Sequence, residues 1–237
     1  MPRNNSFIAS GSILVIFFVL FSILVHFNVF HQIDLSTTMQ LQHNISRKFD
    51  IPFSLLSSVG QFEFMAVILI CIFFFLRRIK SGIIAFVFFV MFHLVELFGK
   101  YFVHHPPPPE ILVRTQNILQ FPEYYVQNLN SYPSGHAGRT MFISVLCFIL
   151  IWQSKKLQFH TKVILIALIC IFDVTMLLSR IYLGEHWLSD VIGGTLLGSG
   201  LGFFAAMYIT DSTRETKQSK SKKSIFQKFK FEIKKVE

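Results

Sequence analysis

Lys162–Ile209 reads KVILIALICIFDVTMLLSRIYLGEHWLSDVIGGTLLGSGLGFFAAMYI, two apolar runs separated by a short polar gap. Each run, Lys162–Leu178 and Leu188–Ile209, approaches the ~20 residues that cross ~30 Å of hydrocarbon as a helix. Four more runs precede them: Phe7–Phe30, Pro52–Leu76, Ser81–Phe98 and Ala137–Trp152. Ala137–Trp152 is the shortest and spans only if tilt or its flanks complete it. The chain has 237 residues, 52% of them hydrophobic, with 29 phenylalanines and only 15% charged residues. No single soluble core of that size buries six such runs, so an ordinary soluble domain is excluded. The expected fold is all-α, a polytopic membrane bundle of about six transmembrane helices.

Within the gap, Ser179–Asp190 (SRIYLGEHWLSD) concentrates the polar chemistry. Arg180 is a fixed cation whose planar fork suits phosphate. If the segment after Gly184 is helical, His186 and Asp190 lie four residues apart on one face. At that spacing a carboxylate can hold one ring nitrogen and aim the other outward. The same residues also suit a structural ion pair at a helix end.

Lysine and arginine placement sets the expected orientation. Of the 22, Arg3, the turn residues Arg77, Arg78, Lys80, Lys155, Lys156 and Lys162, and nine more after Thr210 fall on one side. Arg47, Lys48, Lys100, Arg114, Arg139 and Arg180 fall on the other. Both termini are therefore expected in the cytoplasm of a cell whose plasma membrane holds the bundle. Residues 1–210 form the membrane domain, with the loop 100–136 outside as part of the site, and 211–237 form a basic cytoplasmic tail. The net charge of +9 lies mostly in that tail and the cytoplasmic turns, which fits anionic lipid and argues against nucleic acid. The first run is read as a retained anchor, because it is too long for a signal peptide and lacks a small-x-small cleavage pattern. Cys71, Cys147 and Cys170 all lie in apolar runs, so no disulfide framework is indicated.

Along the chain, Glu63 is an intramembrane carboxylate and is expected to face the bundle interior. Glu96 and Lys100 are spaced for a helical ion pair; alternatively Lys100, at an outer helix end, points at an anion. His104 and His105 precede Pro106–Pro109, which end the helix, and no further ligands at metal spacing accompany them. Phe121, Tyr124, Tyr125 and Tyr132 suit the headgroup level. In Tyr132–Arg139 (YPSGHAGR), Ser134 caps the following helix, Gly135 permits close approach, and the free N–H groups there favour an anion. His136 can exchange a proton at that point. Asp173 is a buried acid with no evident partner in the sequence. Gly194 and Gly198 have a small-xxx-small spacing that favours close helix packing.

Taken together, these residues resemble the signature of the type 2 phosphatidic acid phosphatase family, which shares its active site with vanadium haloperoxidases. Its three motifs are K-x6-R-P, P-S-G-H and S-R-x5-H-x3-D. The second stands here as Pro133–His136, and the third runs complete from Ser179 and Arg180 through His186 to Asp190. The first keeps Lys100 and Pro108 but has Pro107 where the family has arginine. Arg139, Arg114, His104 or His105 can replace that cation, and Arg139 is the choice made here. The resemblance implies that His186 attacks phosphorus, Asp190 fixes its tautomer, and His136 serves as acid and then base. It also implies that Lys100, Arg180, Ser134, Gly135 and Arg139 hold the phosphate. No cofactor or metal is implied, and the expected substrate is a lipid phosphate or polyprenyl diphosphate in the bilayer. The rival readings are a phosphotransferase of the same family, a transporter built on Glu63, His93, Glu96 and Asp173, and a non-catalytic lipid-binding scaffold.

Overall fold

A backbone in hydrocarbon must satisfy its own N–H and C=O groups, so the apolar runs fold as helices. The computed structural model describes residues 2–116 and 130–209. Among them eight α-helices follow in order: α1 Pro2–His26, α2 His31–Asn44, α3 Asp50–Val59, α4 Phe62–Phe75, α5 Ile79–Phe102, α6 Gly135–Gln153, α7 Phe159–Tyr182 and α8 Leu188–Ile209. Five of these are long and apolar enough to cross a membrane, and the bent pair α3–α4 makes a sixth candidate span. Ile13, Ile16 and Leu20 of α1, with Ile164, Leu168 and Ile171 of α7, are exposed on the outer faces, where a soluble protein would place polar groups. The protein is an integral membrane helix bundle.

The centre of the bundle is the pair α6 and α8, with 56% and 61% of the spanning stretch buried, against 17% for α1. Their contact is made by small residues four apart. A Cβ on Gly194 would meet the Ser134 carbonyl, one on Gly198 the Gly138 backbone, and one on Gly202 the Phe142 carbonyl at 3.1 Å. One stripe of α8 thus lies along one stripe of α6 at near-backbone distance, as glycine permits in membranes. The packing reading of the glycines holds.

Several expectations need correction. The second run is not one straight span: it breaks at Gly60 and Gln61, and α3 and α4 meet at a bend of 58°. Gly60 leaves room for the His136 ring, which a Cβ would strike at 2.5 Å, and its carbonyl accepts from Arg139 Nε at 3.1 Å. A backbone break inside a bundle persists when side chains satisfy the freed groups in this way. Beyond the break, Met65, Leu69 and Phe73 turn inward and Glu63 is left exposed. Tyr132 does not face the headgroups. It is fully buried, stacked on Phe18 at 6.0 Å with its hydroxyl 2.9 Å from Ser22 Oγ. Phe121, Tyr124 and Tyr125 and the tail after Ile209 lie outside the described residues. Asp173 finds its partner in Ser144 of α6, whose hydroxyl donates at 2.6 Å.

The segment read as a loop between the first two runs contains α2, which packs on α7. Across the same end of the bundle runs Val103–Gln116. Its course is pinned by Gln42, which donates to the carbonyls of Leu112 (2.6 Å) and Tyr182 (2.8 Å), and by Arg114 N–H on the Leu183 carbonyl (2.8 Å).

Replacing Gly198 by leucine is expected to force α6 and α8 apart and cost about 3 kcal/mol, the upper part of the overpacking range. Unfolding titrations in a denaturing detergent should show this loss, while the lipid-facing Ile192→Ala change leaves the midpoint nearly unmoved.

Candidate active site

Four chain segments meet at one end of the bundle: the end of α5, the start of α6, the turn from α7 to α8, and the α3–α4 break. The Ser134 N–H donates to the Asp190 carbonyl at 3.0 Å, so the two motif segments are bonded directly to each other. Ser134 caps α6, its Oγ accepting from the Ala137 N–H at 3.4 Å.

The α7–α8 turn is shaped by Gly184, whose φ of +69° suits glycine. His186 lies in this turn, since α8 begins only at Leu188, so the expected helical register is not what pairs it with Asp190. Instead Asp190 sits in the first turn of α8 and reaches back. Its Oδ2 accepts from the Trp187 N–H at 2.9 Å, as in a capping box, and lies 3.3 Å from His186 Nδ1. That contact leaves Nε2 of His186 as the free ring nitrogen. Burial pushes the His186 pKa down, and nearby Lys100 and Arg180 add to this against the opposing bond to Asp190.

Asp190 Oδ1 is also engaged, by His105 Nδ1 at 2.9 Å, and the other nitrogen of His105 lies 3.5 Å from Asp34 Oδ2. Burial opposes a charge on His105, but the bonds to Asp190 and Asp34 prevail and raise its pKa to about 9.

The cations gather near His186 and His136. Arg180 is fully buried and meets Ser57 Oγ and the Glu185 carboxylate, while its Nε has no hydrogen-bond partner among the described residues. Arg139 donates to Glu96 Oε2 at 2.8 Å, and Lys100 Nζ stands 3.8 Å from Glu96 Oε1. Both stand close to the Ser134–His136 turn, since a Cβ on Gly135 would fall onto the Glu96 carboxylate and within 2.6 Å of Arg139 Nη1. His136 has its Nε2 buried without a hydrogen-bond partner among the described residues, and lies within electrostatic reach of Arg180, Arg139, His186 and Lys100.

The structure therefore brings together all eight residues singled out in the sequence: Lys100, Ser134, Gly135, His136, Arg139, Arg180, His186 and Asp190. Of the four candidates for the missing arginine, Arg139 alone joins Lys100 and Arg180 in the cationic group. Arg114 bonds the Tyr182 hydroxyl (3.2 Å) and the Gln42 carbonyl (3.0 Å), the His104 N–H donates to His26, and His105 turns both nitrogens to carboxylates. Sequence reasoning missed Asp34, Ser57 and Glu185. Glu185 falls among the unspecified positions of the third motif, and Asp34 and Ser57 lie far from any motif. Glu96, which the sequence offers as the partner of Lys100, also holds Arg139 and accepts from His93 at 3.1 Å.

A model of the PAP2 superfamily matches residues 82–214, more than half of the chain and all three motif regions. The chain belongs to the PAP2 superfamily. It is 31% identical over 131 residues to an undecaprenyl-diphosphatase of Sulfolobus acidocaldarius, a match covering 55% of this chain and 56% of that protein. It is 29% identical over 82 residues to a dihydrosphingosine 1-phosphate phosphatase of Saccharomyces cerevisiae, covering 35% of this chain and 20% of the relative. The match thus spans a fifth to somewhat over half the length of these curated relatives. Among solved structures, the fold is similar to a transmembrane PAP2-type phosphatidylglycerolphosphate phosphatase from Bacillus subtilis. That superposition has a TM-score of 0.67 at 21% identity and covers 85% of this chain and 96% of the other. Aquifex aeolicus LpxE is similar with a TM-score of 0.54 at 21% identity, covering 73% and 94%. These two likenesses bear on the fold, and they place this PAP2 chain among membrane helix bundles.

Glu96 carries the counter-charge for a buried arginine, so Glu96→Gln is expected to destabilise the bundle by about 3 kcal/mol. Denaturing-detergent titration measures the loss, and adding Arg139→Met to the same chain should recover part of it.

Proposed function

We propose that this PAP2 protein is an integral membrane phosphatase that hydrolyses a lipid phosphate or polyprenyl diphosphate through a phosphohistidine. The observation that carries the reading is His186, its Nδ1 held by a buried carboxylate and its Nε2 left free, with Arg180, Lys100 and Arg139 grouped nearby. That is a nucleophile with its tautomer set, beside charges fit for a phosphoryl group.

In the first step, the lone pair of His186 Nε2 attacks phosphorus and the bond to the lipid oxygen breaks. The leaving oxygen takes a proton from His136. In the second step, His136 removes a proton from water, the water oxygen attacks phosphorus, and the N–P bond breaks to release inorganic phosphate and neutral His186. Asp190 stabilises the positive charge on the phosphorylated ring. Arg180, Lys100, Arg139, the Ser134 hydroxyl and the Gly135 N–H neutralise the equatorial oxygens, a role that metal ions fill in other phosphoryl transferases. The carboxylates of Glu96 and Glu185 meet these cations, so a phosphate dianion competes with them for the same donors. Arg139 supplies the charge that the first motif lacks at Pro107.

Lysine and arginine placement supports a site on the extracytoplasmic face of the plasma membrane, with both termini inside. Substrates named for the relatives, a sphingoid phosphate and a polyprenyl diphosphate, share a terminal phosphoryl group on an apolar chain, removed to leave the alcohol in the first and the lipid monophosphate in the second, and define the class to test.

Purified full-length protein in EDTA should release phosphate from a panel of phosphatidate, phosphatidylglycerol phosphate, sphingoid phosphate and polyprenyl diphosphate. Vanadate should inhibit it, and His186→Ala should lower turnover about a thousandfold or more. Abolition of turnover by EDTA would overturn the metal-free mechanism, and silence on every lipid would favour the non-catalytic scaffold.

Only neutral His186 attacks. Because its pKa is lowered by burial, the acid limb of kcat/KM is expected below the ordinary histidine value of about 6.5. A limb above that value would contradict the assignment.

A further inference from the structure

The most developed polar cluster beside the motif residues is the buried line Asp34–His105–Asp190, of which the mechanism above uses only Asp190. We propose that His105 is a positioning residue: as an imidazolium bridging Asp34 and Asp190, it holds the Asp190 carboxylate in the plane and charge state that set the tautomer of His186. The inference rests on the phosphatase reading and extends it to Asp34, which no motif contains, and to His105, which stands at an unspecified position of the first motif.

Geometry carries the argument. Asp190 has two oxygens, and Oδ2 is taken by His186 Nδ1 and the Trp187 N–H. His105 Nδ1 takes Oδ1 at 2.9 Å, so rotation of the carboxylate about its own axis would break bonds on both sides. With one ring nitrogen facing Asp190 and the other facing Asp34, both nitrogens act as donors only in the charged ring. All three side chains are buried, His105 to 4% exposure, Asp34 to 1% and Asp190 to 0%. Two carboxylates confined there without a cation would shed their repulsion by taking up a proton. A protonated Asp190 could not orient His186.

The support for His105 is itself specific. Its N–H donates to Asn130 Oδ1 at 2.9 Å, and its carbonyl accepts from the Ser131 N–H at 2.9 Å. The next carbonyl, of Pro106, accepts from Trp187 Nε1 at 2.8 Å, tying this strand of loop to the residue beside His186. Asp34 on α2 is fixed by the N–H (2.8 Å) and hydroxyl (2.7 Å) of Ser189, the neighbour of Asp190. The groups facing His105 are thus Asp34 from α2, Asp190 from α8, Ser131 Oγ at 3.4 Å, and the edge of Tyr132 with ring centroids 6.5 Å apart. No lysine or arginine is bonded to either carboxylate in this cluster among the described residues, so His105 is the cation there. The histidine pair His104-His105, read in the sequence as a possible phosphate ligand, therefore divides: His105 supports the nucleophile through Asp190.

The test uses the full chain, labelled with 15N-histidine, in detergent micelles, with ring signals assigned from His105→Asn and His186→Ala. At about pH 7.5 His105 is expected to show two protonated nitrogens and to titrate near 9, and Asp34→Asn should lower that midpoint by about one unit or more. His186 should be the Nδ1–H tautomer in the wild type and a mixture in His105→Asn, a variant that keeps a neutral donor to Asp190. In assays with short-chain phosphatidate and farnesyl diphosphate, His105→Asn should lower kcat about tenfold with KM within about twofold. It should also lose any fall in rate that the wild type shows as pH passes about 9. A neutral His105 at pH 7.5 overturns the proposal, as does a His105→Asn protein with an unchanged His186 tautomer and kcat. If His105→Asn fails to fold, Asp34→Asn reads the same tautomer and kcat. Turnover without the imidazolium signature sinks this proposal alone. The signature and tautomer change without turnover on either lipid sink the phosphatase reading and leave the positioning role standing.

Discussion

The near-backbone contact of α6 with α8 is the constraint on which the remainder of the structure depends. Gly194, Gly198 and Gly202 lie against Ser134, Gly138 and Phe142, and the register of that ladder delivers the Ser134 N–H to the Asp190 carbonyl. Two segments more than fifty residues apart in the chain are thereby fixed to within one hydrogen bond. In hydrocarbon there is no hydrophobic force to press helices together, so close packing by small residues has to supply the association. Side chains placed at the ends of such helices inherit a rigid frame, which a site needs if its donors are to be aligned before substrate arrives.

Around that frame the dominant problem is electrostatic. Arg139 and Arg180 are both buried, and charges out of water require partners. Glu96 and Glu185 provide them, and each occupies donors that a phosphate would use. On the other flank Asp34 and Asp190 present two negative groups with His105 between them. The cluster is thus divided into a cationic half and an anionic half, and His186 stands at the boundary.

The break between α3 and α4 shows how the scaffold serves the site at the expense of a regular span. A side chain at position 60 would place a Cβ into His136, and an uninterrupted helix would bond the Gly60 carbonyl within itself instead of leaving it for Arg139. Residues on the two sides of the break take different tasks: Ser57 on α3 meets Arg180, and α4 turns its apolar face to the core.

Much was legible in the chain itself. The length and hydropathy of the runs established a membrane helix bundle, because twenty apolar residues have few other stable fates. The spacing in Pro133–His136 and Ser179–Asp190 singled out the candidate site residues, because those groups are carried by short contiguous segments. What the tertiary structure alone decided were the contacts between segments. It revealed the bend at Gly60, the outward face of Glu63, the buried position of Tyr132, and the partners of Glu96, Arg180 and Asp190. It also separated Arg139 from Arg114, His104 and His105 as the cation beside the cluster. The physical reason is that periodicity and spacing report on neighbours along one helix, whereas a buried charge is partnered by whatever the packing of other helices brings within reach.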